Sequence, residues 1–150
     1  MVSTRRKKPR QLNLRTSGKG IRQVLGDLEA DIMELCWQEN PCSVRGIHER
    51  LAVNRKLAYT TVMTVMSRLA EKGLLQRQQQ GRAYLYTPAC SRDEFCSDTI
   101  STVMRGLVGG FGEPVLSHFV DTIDARDTAQ LDELLRLIEA KKGEAEKSAT

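Results

Sequence analysis

The sequence has no apolar run that approaches the roughly 20 residues a membrane-spanning helix needs. Its N-terminus is basic but has no apolar middle segment of the kind found in secretory signal peptides. These absences predict a cytoplasmic protein that does not insert into a membrane. Four cysteines are present, and stable structural disulfides are uncommon in that compartment.

Residues suited to catalysis or metal binding are also scarce. The two histidines, His48 and His118, belong to no polar cluster of the kind that a catalytic triad or metal centre requires. The cysteines form C-x5-C twice, at 36/42 and 90/96, whereas about two to four residues usually separate paired zinc ligands. The sequence therefore predicts no enzyme, no cofactor and no metal site. Cys42 and Cys90 lie at element boundaries, where exposed thiols could serve as a sensor.

The net charge is +4, but acidic and basic residues are strongly segregated along the chain. Residues 1–24 carry eight bases and no acid, and residues 45–92 carry nine bases and two acids. Residues 25–44 carry five acids and no base, and residues 93–150 carry twelve acids and six bases. The basic blocks favour a polyanionic partner, which would repel the acidic C-terminal third. The polar composition of 1–24 predicts a disordered arm, either contacting phosphates or merely solvated.

The most informative segment covers residues 58–88. Apolar residues recur at i, i+3, i+4 and i+7 from Val62 and predict a helix over 58–72 that Gly73 ends. The other side of this helix carries short hydroxyls and a cation, with no carboxylate. Two strand-like runs, Leu74–Gln79 and Ala83–Thr87, then predict a hairpin across Gly81.

Two further helices precede this segment. One is expected from about Asp27, which can cap it, to Trp37, before the break at Asn40-Pro41. Ser43 can cap the next. The order helix, helix, helix, hairpin is typical of a winged helix-turn-helix.

Three amphipathic helices are predicted after the hairpin. Ser91 and Glu94 form a capping box, Pro114 can open the next helix, and Asp127 can cap the last. Gly109, Gly110 and Gly112 should interrupt the first of them, and Gly143 should end the last. Such short helices bury little surface alone, which favours a dimer.

These elements define a mainly α fold with a small β-hairpin, in which a winged helix-turn-helix is followed by a C-terminal helical dimerisation domain. We expect a basic arm at 1–24, the winged-helix domain at 25–89, the dimerisation domain at 90–142 and a polar tail at 143–150. The candidate dimer contacts are apolar residues at helical spacing: Ile100, Val103, Met104, Leu107, Leu116, Phe119, Leu131, Leu134, Leu135 and Ile138.

Several motifs resemble those of the BlaI/MecI family of bacterial penicillinase repressors. They are LGDLE at 25–29 with Trp37, SVR at 43–45 with His48 and Glu49, AYTTVMTV at 58–65 with Arg68 and Leu69, and GRAY at 81–84 with YTP at 86–88. The resemblance covers roughly residues 25–140 and is most specific in the N-terminal part.

The resemblance implies a cytoplasmic homodimer that represses transcription by binding palindromic operators in double-stranded DNA. The helix beginning at Ala58 would be the recognition helix. On that basis the candidates for groove and phosphate contacts are Thr60, Thr61, Thr64 and Arg68. Arg77 and Arg82 would be contacts from the hairpin, with Arg45 and Lys56 adding sequence-independent attraction.

Induction in family members with a membrane sensor goes through cleavage of an Asn-Phe bond in the dimerisation domain. The nearest match here is His118-Phe119, the candidate cleavage site for a membrane sensor or protease that acts indirectly. Copper-responsive relatives carry a C-terminal C-x-C…C-x-C pattern, which this chain does not have. Two alternatives stay open: a thiol- or metal-responsive DNA-binding regulator, and a winged-helix protein-interaction adaptor.

Overall fold

Local sequence signals fix most element boundaries in the computed structural model, which describes residues 14–15 and 18–150. The elements in chain order are α1 (Asp27–Gln38), β1 (Cys42–Ser43), α2 (Val44–Ala52), α3 (Tyr59–Glu71), β2 (Leu75–Gln80), β3 (Ala83–Pro88), α4 (Arg92–Phe111), α5 (Pro114–Asp121) and α6 (Thr128–Ser148). The chain divides into two units, one ending at Thr102 and the other comprising Val103–Thr150, and α4 crosses that boundary. None of the described helices has the length and apolarity that crossing a bilayer requires.

The predicted basic arm, 1–24, falls mostly on residues outside the described part of the chain. Its last residues have a structure that composition did not suggest. A 3₁₀ helix, Gly20–Gln23, buries Ile21 in the core, and Arg22 forms ion pairs with Asp27 and Asp31. The ordered N-terminal unit therefore begins before residue 25. Ile21 and Val24 are too few in this polar stretch to give a periodic signal, so the sequence pattern missed the 3₁₀ helix.

The first two helices begin as expected, but only the second has the predicted cap. Asp27 is the first residue of α1 and not its cap; Gly26 holds the cap position, and its backbone N–H donates to Glu29 Oε2 at 3.0 Å. Ser43 does cap α2, because its Oγ accepts a hydrogen bond from Gly46 N at 3.1 Å. Each contact satisfies a donor that the helix itself leaves unpaired.

A glycine motif ends α3 and leads directly into the hairpin. Gly73 has φ +78°, and its N–H donates to the Ala70 carbonyl at 3.0 Å. Leu74 N donates to the Leu69 carbonyl at 2.9 Å, which completes a Schellman motif. The hairpin turns at Gly81, whose φ of +63° is the sign required at the first position of a two-residue hairpin loop.

The hairpin belongs to a three-stranded antiparallel sheet of order β1-β3-β2, not to an isolated pair of strands. Cys42 on β1 and Arg77 on β2 both lie opposite Tyr86 on β3. β1 was not predicted, because a two-residue strand is too short to show alternation.

The core of the N-terminal unit joins α1, α2 and α3 to the sheet and to the first turns of α4. Its largest fully buried side chains include Tyr86, Phe95, Ile32, Met33, Ile47 and Met66. The Trp37 ring lies 5.6 Å from that of Phe95, and Trp37 Nε1 donates to the Cys90 carbonyl at 2.9 Å. The first turns of α4 therefore pack with the winged helix. For this reason the observed boundary, after Thr102, falls later than the expected one at 89/90.

The three C-terminal helices start at the predicted signals. Ser91 N donates to Glu94 Oε2 at 2.8 Å and Glu94 N to Ser91 Oγ at 3.2 Å, which is the reciprocal capping box. Pro114 is the first residue of α5, where its missing N–H has no cost. Asp127 caps α6 by accepting a hydrogen bond from Gln130 N at 3.1 Å.

Two predicted helix ends are wrong. α4 continues through Gly109 and Gly110 and ends only before Gly112, whose φ is +70°. α6 passes through Gly143 and ends at Ser148. A glycine inside a helix costs only about 1 kcal/mol relative to alanine, which flanking helix formers such as the Glu and Lys residues of α6 can offset.

Candidate nucleic-acid interface

The outer face of α3 is open to solvent. Thr60, Thr61, Thr64 and Arg68 are exposed, while Val62, Met66 and Leu69 on the opposite face are fully buried. The separation follows from the helical repeat, since residues three and four apart share a face. Ser67, one of the short hydroxyl residues that the sequence pattern puts on the outer side of this helix, is half-buried.

The Thr64 hydroxyl is already engaged within the helix. Its Oγ1 donates to the Thr60 carbonyl at 2.9 Å, the back-bond that threonine often makes in helices. The Thr64 oxygen lone pairs and methyl group stay available. In this rotamer Thr64 can therefore accept a hydrogen bond or touch an apolar group, but it cannot donate.

The start of α3 is held by α2 and has no side-chain cap within the described residues. His48 Nε2 lies 2.7 Å from the Leu57 carbonyl, and the His48 ring meets the Tyr59 ring edge-on at 5.8 Å. Ala58 occupies the cap position and supplies no side-chain acceptor. The first N–H groups of α3, where the helix dipole is positive, therefore have no competing carboxylate or hydroxyl cap.

The acidic block 25–44 pairs with bases of the block 45–92. The pairs are Arg55 with Asp31 at 2.7 Å, Arg92 with Glu34 at 2.9 Å, Lys72 with Glu29, and Arg50 with Glu39. Arg45 pairs with Glu49 on its own helix at 3.0 Å. Five of the nine bases in this block thus have an acidic partner.

The four remaining bases have no acidic partner within the described part of the chain. They are Lys56 before α3, Arg68 on α3, and Arg77 and Arg82 on the hairpin. All four are exposed. They are also four of the five cationic side chains that the sequence singled out. The fifth, Arg45, is exposed too, but its ion pair with Glu49 partly neutralises it.

Asp31 connects the chain before α1 to the turn before α3. It pairs with Arg22 on one side and with Arg55, through Oδ2 at 2.7 Å, on the other. The Asp31 side chain is only 20% exposed, so these contacts are less screened than those on the open surface. The two ion pairs of Asp31, here called the Asp31 clamp, hold the loop that leads into α3.

Exposed side chains that were not assigned to the interface lie beside those that were. Met63 and Tyr59 are 43% and 45% exposed on α3, and the glutamines of β2 are exposed along the strand. The residue types of Met63 and Tyr59 did not indicate a place at the interface, since methionine and tyrosine at helical spacing usually pack in a core. On the hairpin, Arg77 stacks on Tyr84.

The candidate thiol pair Cys42 and Cys90 is not an exposed pair. Cys42 is buried and hydrogen-bonded to Cys36, whereas Cys90 is half-buried. The expectation that Cys42 could be exposed is wrong, because β1 joins the sheet and draws its side chain into the core. No group of three or more Cys, His, Asp or Glu in the described residues is arranged to hold a metal ion.

The C-terminal unit exposes its apolar side chains. None of the residues 103–150 is buried. Of the candidate dimer contacts, Val103, Met104, Leu131 and Leu134 are half-buried, and Ile100, Leu107, Leu116, Phe119, Leu135 and Ile138 are exposed. Further exposed apolar residues were not predicted: Val108, Phe111, Val120 and Leu137. His118 and Phe119 are both exposed on α5.

Three helices, a small sheet and an exposed third helix followed by a basic hairpin define a winged-helix DNA-binding protein. A family model described as Penicillinase repressor matches residues 25–139, and the chain belongs to that family of transcriptional repressors. The predicted family and the predicted fold are thereby confirmed.

The similarity to individual relatives extends over most of the chain. This chain is 38% identical to the transcriptional regulator BlaI of Mycobacterium tuberculosis over 121 residues, which cover 79% of this chain and 88% of that protein. It is 22% identical to the penicillinase repressor of Bacillus licheniformis over 124 residues, 83% of this chain and 95% of that one. The solution structure of the DNA binding domain of the repressor BlaI is 26% identical and has a TM-score of 0.43. The match covers 51% of this chain and 93% of the solved domain.

Proposed function

We propose that the protein is a cytoplasmic homodimeric repressor that binds palindromic operator DNA with α3 in the major groove and the β2–β3 hairpin against the phosphate backbone. The observation that carries this proposal is the distribution of unpaired cations. Acids of the block 25–44 neutralise four bases of the block 45–92, and the four exposed bases of that block without an acidic partner in the described residues lie before α3, on it and on the hairpin. Such cations attract a polyanion by releasing its counterions.

The side chains of α3 suit contacts to base edges. Arg68 can donate to guanine O6 and N7, and threonine can bond to a base edge or touch the thymine methyl group. Thr64 would act as an acceptor or through its methyl, because its proton is used by the Thr60 carbonyl. The N-terminus of α3, uncapped by a side chain, favours a phosphate nearby.

A second copy of the chain is the partner proposed for the C-terminal unit. Residues 103–150 contain no buried side chain yet expose large apolar groups on all three helices, including Phe111, Leu116 and Leu137. Burying such a surface is worth roughly 25 cal/mol per Å² of apolar area. Two-fold pairing of these faces would place two α3 helices on half-sites about one DNA turn, or a multiple of it, apart.

Induction is proposed to act by loss of dimerisation, since two linked modules bind DNA far more tightly than one. The His118-Phe119 bond lies on α5 within the exposed apolar surface. A cut there, made by a protease under the control of a membrane sensor, would divide the surface that holds the dimer together.

The DNA contacts are tested by titrating the full-length protein against the DNA upstream of its own gene at several salt concentrations. We expect log Kd to depend steeply on log salt, and R82A to reduce the slope by about 1, because one phosphate contact is lost. R68A should weaken binding by roughly 1–3 kcal/mol if the contact is to a base. K142A, which removes an exposed base from α6, is the matched control and should change neither value. A salt-independent affinity would contradict the proposal.

The dimer is tested separately by sedimentation equilibrium of the full chain. F111D and L137D place charge on the exposed apolar surface and should shift the wild-type dimer to monomer, with weaker operator binding. V53D, at a strongly exposed valine of the N-terminal unit, is the control and should leave the mass unchanged. A wild-type chain that stays monomeric at micromolar concentration would exclude the homodimer.

A further inference from the structure

Two thiols meet inside the N-terminal unit. Cys36 lies in the last turn of α1 and Cys42 in β1, and their Sγ atoms are 3.0 Å apart. Both cysteines are free, with Cys36 fully buried and Cys42 4% exposed. A disulfide bond is about 2.05 Å long, so the sulfurs need to approach by only about 1 Å.

We propose that Cys36 and Cys42 form a redox modification site, at which a small disulfide or a peroxide oxidises the two thiols to an intramolecular disulfide. The proposal rests on this juxtaposition and does not depend on DNA binding. Cys90 and Cys96 are outside the site: both are half-buried at the margin of the core.

Cys42 is the thiol that attacks the oxidant. It is the more exposed of the two and follows the exposed residues Asn40 and Pro41 directly. The hydrogen bond between the two sulfurs lowers the pKa of Cys42 although burial opposes this, and the same bond, together with burial, raises the pKa of Cys36. The thiolate is the reactive form of cysteine, so the two thiols differ in role.

The reaction is a disulfide exchange in two steps. The Cys42 thiolate attacks one sulfur of a small disulfide such as oxidised glutathione, forming a mixed disulfide and releasing one glutathione thiolate. The Cys36 sulfur then attacks Cys42 Sγ, and the second glutathione leaves with the proton of the Cys36 thiol. Two protein thiols have lost two electrons and two protons, and one glutathione disulfide has become two thiols. With hydrogen peroxide the intermediate is a sulfenic acid on Cys42, and two waters are formed.

Burial slows the first step and favours the second. Access for the oxidant requires local opening around β1, a strand of only two residues. Once Cys42 is modified, Cys36 lies beside it, so ring closure should outpace the attack of any thiol from solution. The mixed disulfide should therefore not accumulate.

The disulfide would tie the end of α1 to the sheet. Cys42 lies opposite Tyr86 on β3, and its Sγ is 3.4 Å from the Tyr86 carbonyl oxygen, to which the thiol can donate. Oxidation removes that weak donor but closes a covalent loop over 36–42. Constraining the unfolded chain should outweigh the lost contact, so the oxidised unit should unfold at a higher temperature.

The test uses the full-length C90S/C96S variant, in which Cys36 and Cys42 are the remaining cysteines. After incubation with oxidised glutathione and alkylation in denaturant, the tryptic peptide 23–45, which holds both cysteines, should be lighter by two hydrogens and carry no alkyl group. The thermal midpoint should rise by about 5 °C or more and return to the reduced value after treatment with dithiothreitol.

Single variants separate this site from general thiol reactivity. C36S should stop at the glutathione adduct on Cys42, and C42S should leave Cys36 unmodified; circular dichroism confirms that each is folded. The proposal is overturned if peptide 23–45 of folded C90S/C96S stays fully alkylated, or if it retains glutathione. It is also overturned if Cys42 of the wild-type chain becomes linked to Cys90 or Cys96.

Discussion

The guanidinium carbon of Arg77 lies 4.5 Å from the centroid of the Tyr84 ring, so an aromatic side chain of β3 holds a cation of β2. Tyr84 is paired with Gln79, two residues along from Arg77, which puts both side chains on one face of the hairpin. Stacking restricts the long arginine side chain before it meets a partner. Less entropy would then be lost in the proposed binding of this guanidinium to a phosphate.

Replacing Tyr84 should separate stacking from other roles of this residue. Y84F keeps the ring and should bind operator DNA like the wild type. Y84L should bind roughly two- to fivefold more weakly, the equivalent of about 0.5–1 kcal/mol for an exposed cation–π contact. Fluorescence anisotropy with labelled operator measures both. Equal losses in Y84F and Y84L would contradict the stacking role and point to the hydroxyl.

Substitutions at Ala58 should move stability and DNA binding in opposite directions. Ala58 caps α3 without a side-chain acceptor, so A58S and A58D should each stabilise the protein by about 1 kcal/mol. A58D also adds a carboxylate at the end of α3 proposed to face phosphate. We expect A58D to bind DNA severalfold more weakly than A58S, measured by anisotropy alongside urea unfolding. Similar affinities for the two variants would place the start of α3 away from the DNA.

Removing the charge of Asp31 should destabilise the fold without weakening DNA binding. D31N loses two arginine partners at a side chain only 20% exposed and should cost about 1 kcal/mol or more in urea unfolding. E49Q, whose pair with Arg45 is largely exposed, is the control and should cost less than about 0.5 kcal/mol. D31N also frees Arg55 beside α3, so operator affinity at low temperature should be equal or higher. A large loss of affinity in folded D31N would instead show that the ion pairs of Asp31 hold α3 in the position needed to bind DNA.

Glu29 should contribute to the acid sensitivity of the fold. Burial raises its pKa, but hydrogen bonds from Lys72 and from the Gly26 backbone outweigh burial, and the net pKa is lowered. A carboxylate whose pKa is lowered in the folded state stabilises that state at pH values above the pKa of glutamate in the unfolded chain. That stability is lost as the pH falls through the lowered value. Urea midpoints measured between neutral pH and about pH 3.5 should fall less steeply in E29Q than in the wild type. A pH profile of E29Q identical to that of the wild type would show that Glu29 does not contribute to the acid sensitivity of the fold.

The winged helix was largely predictable because its signals are local. The stripe from Val62 to Leu69, the stop at Gly73 and the cap at Ser43 each depend on residues within one or two turns. β1 could not be predicted, since its two residues form a strand only through pairing with β3. The helix ends at Gly109 and Gly143 were mispredicted because a glycine inside a helix costs less than its reputation as a helix breaker suggests.

The candidate interface was predictable in its residue types but not in its electrostatics. The basic block 45–92 is visible in composition. Which of its members lack a partner depends on ion pairs between residues far apart, such as Lys72 with Glu29 and Arg92 with Glu34. The Cys36–Cys42 contact was missed for a related reason, because spacing alone did not bring β1 back against the end of α1.

None of the residues 103–150 is buried, so the proposed dimerisation would tie the lifetime of each chain to the abundance of its copies. At low copy number the unpaired C-terminal helices should open readily and be degraded, whereas the proposed pairing would protect them. Turnover would then fall as synthesis rises. The cell would keep either a sufficient pool of paired molecules or almost none, a threshold set by the apolar surface of three helices.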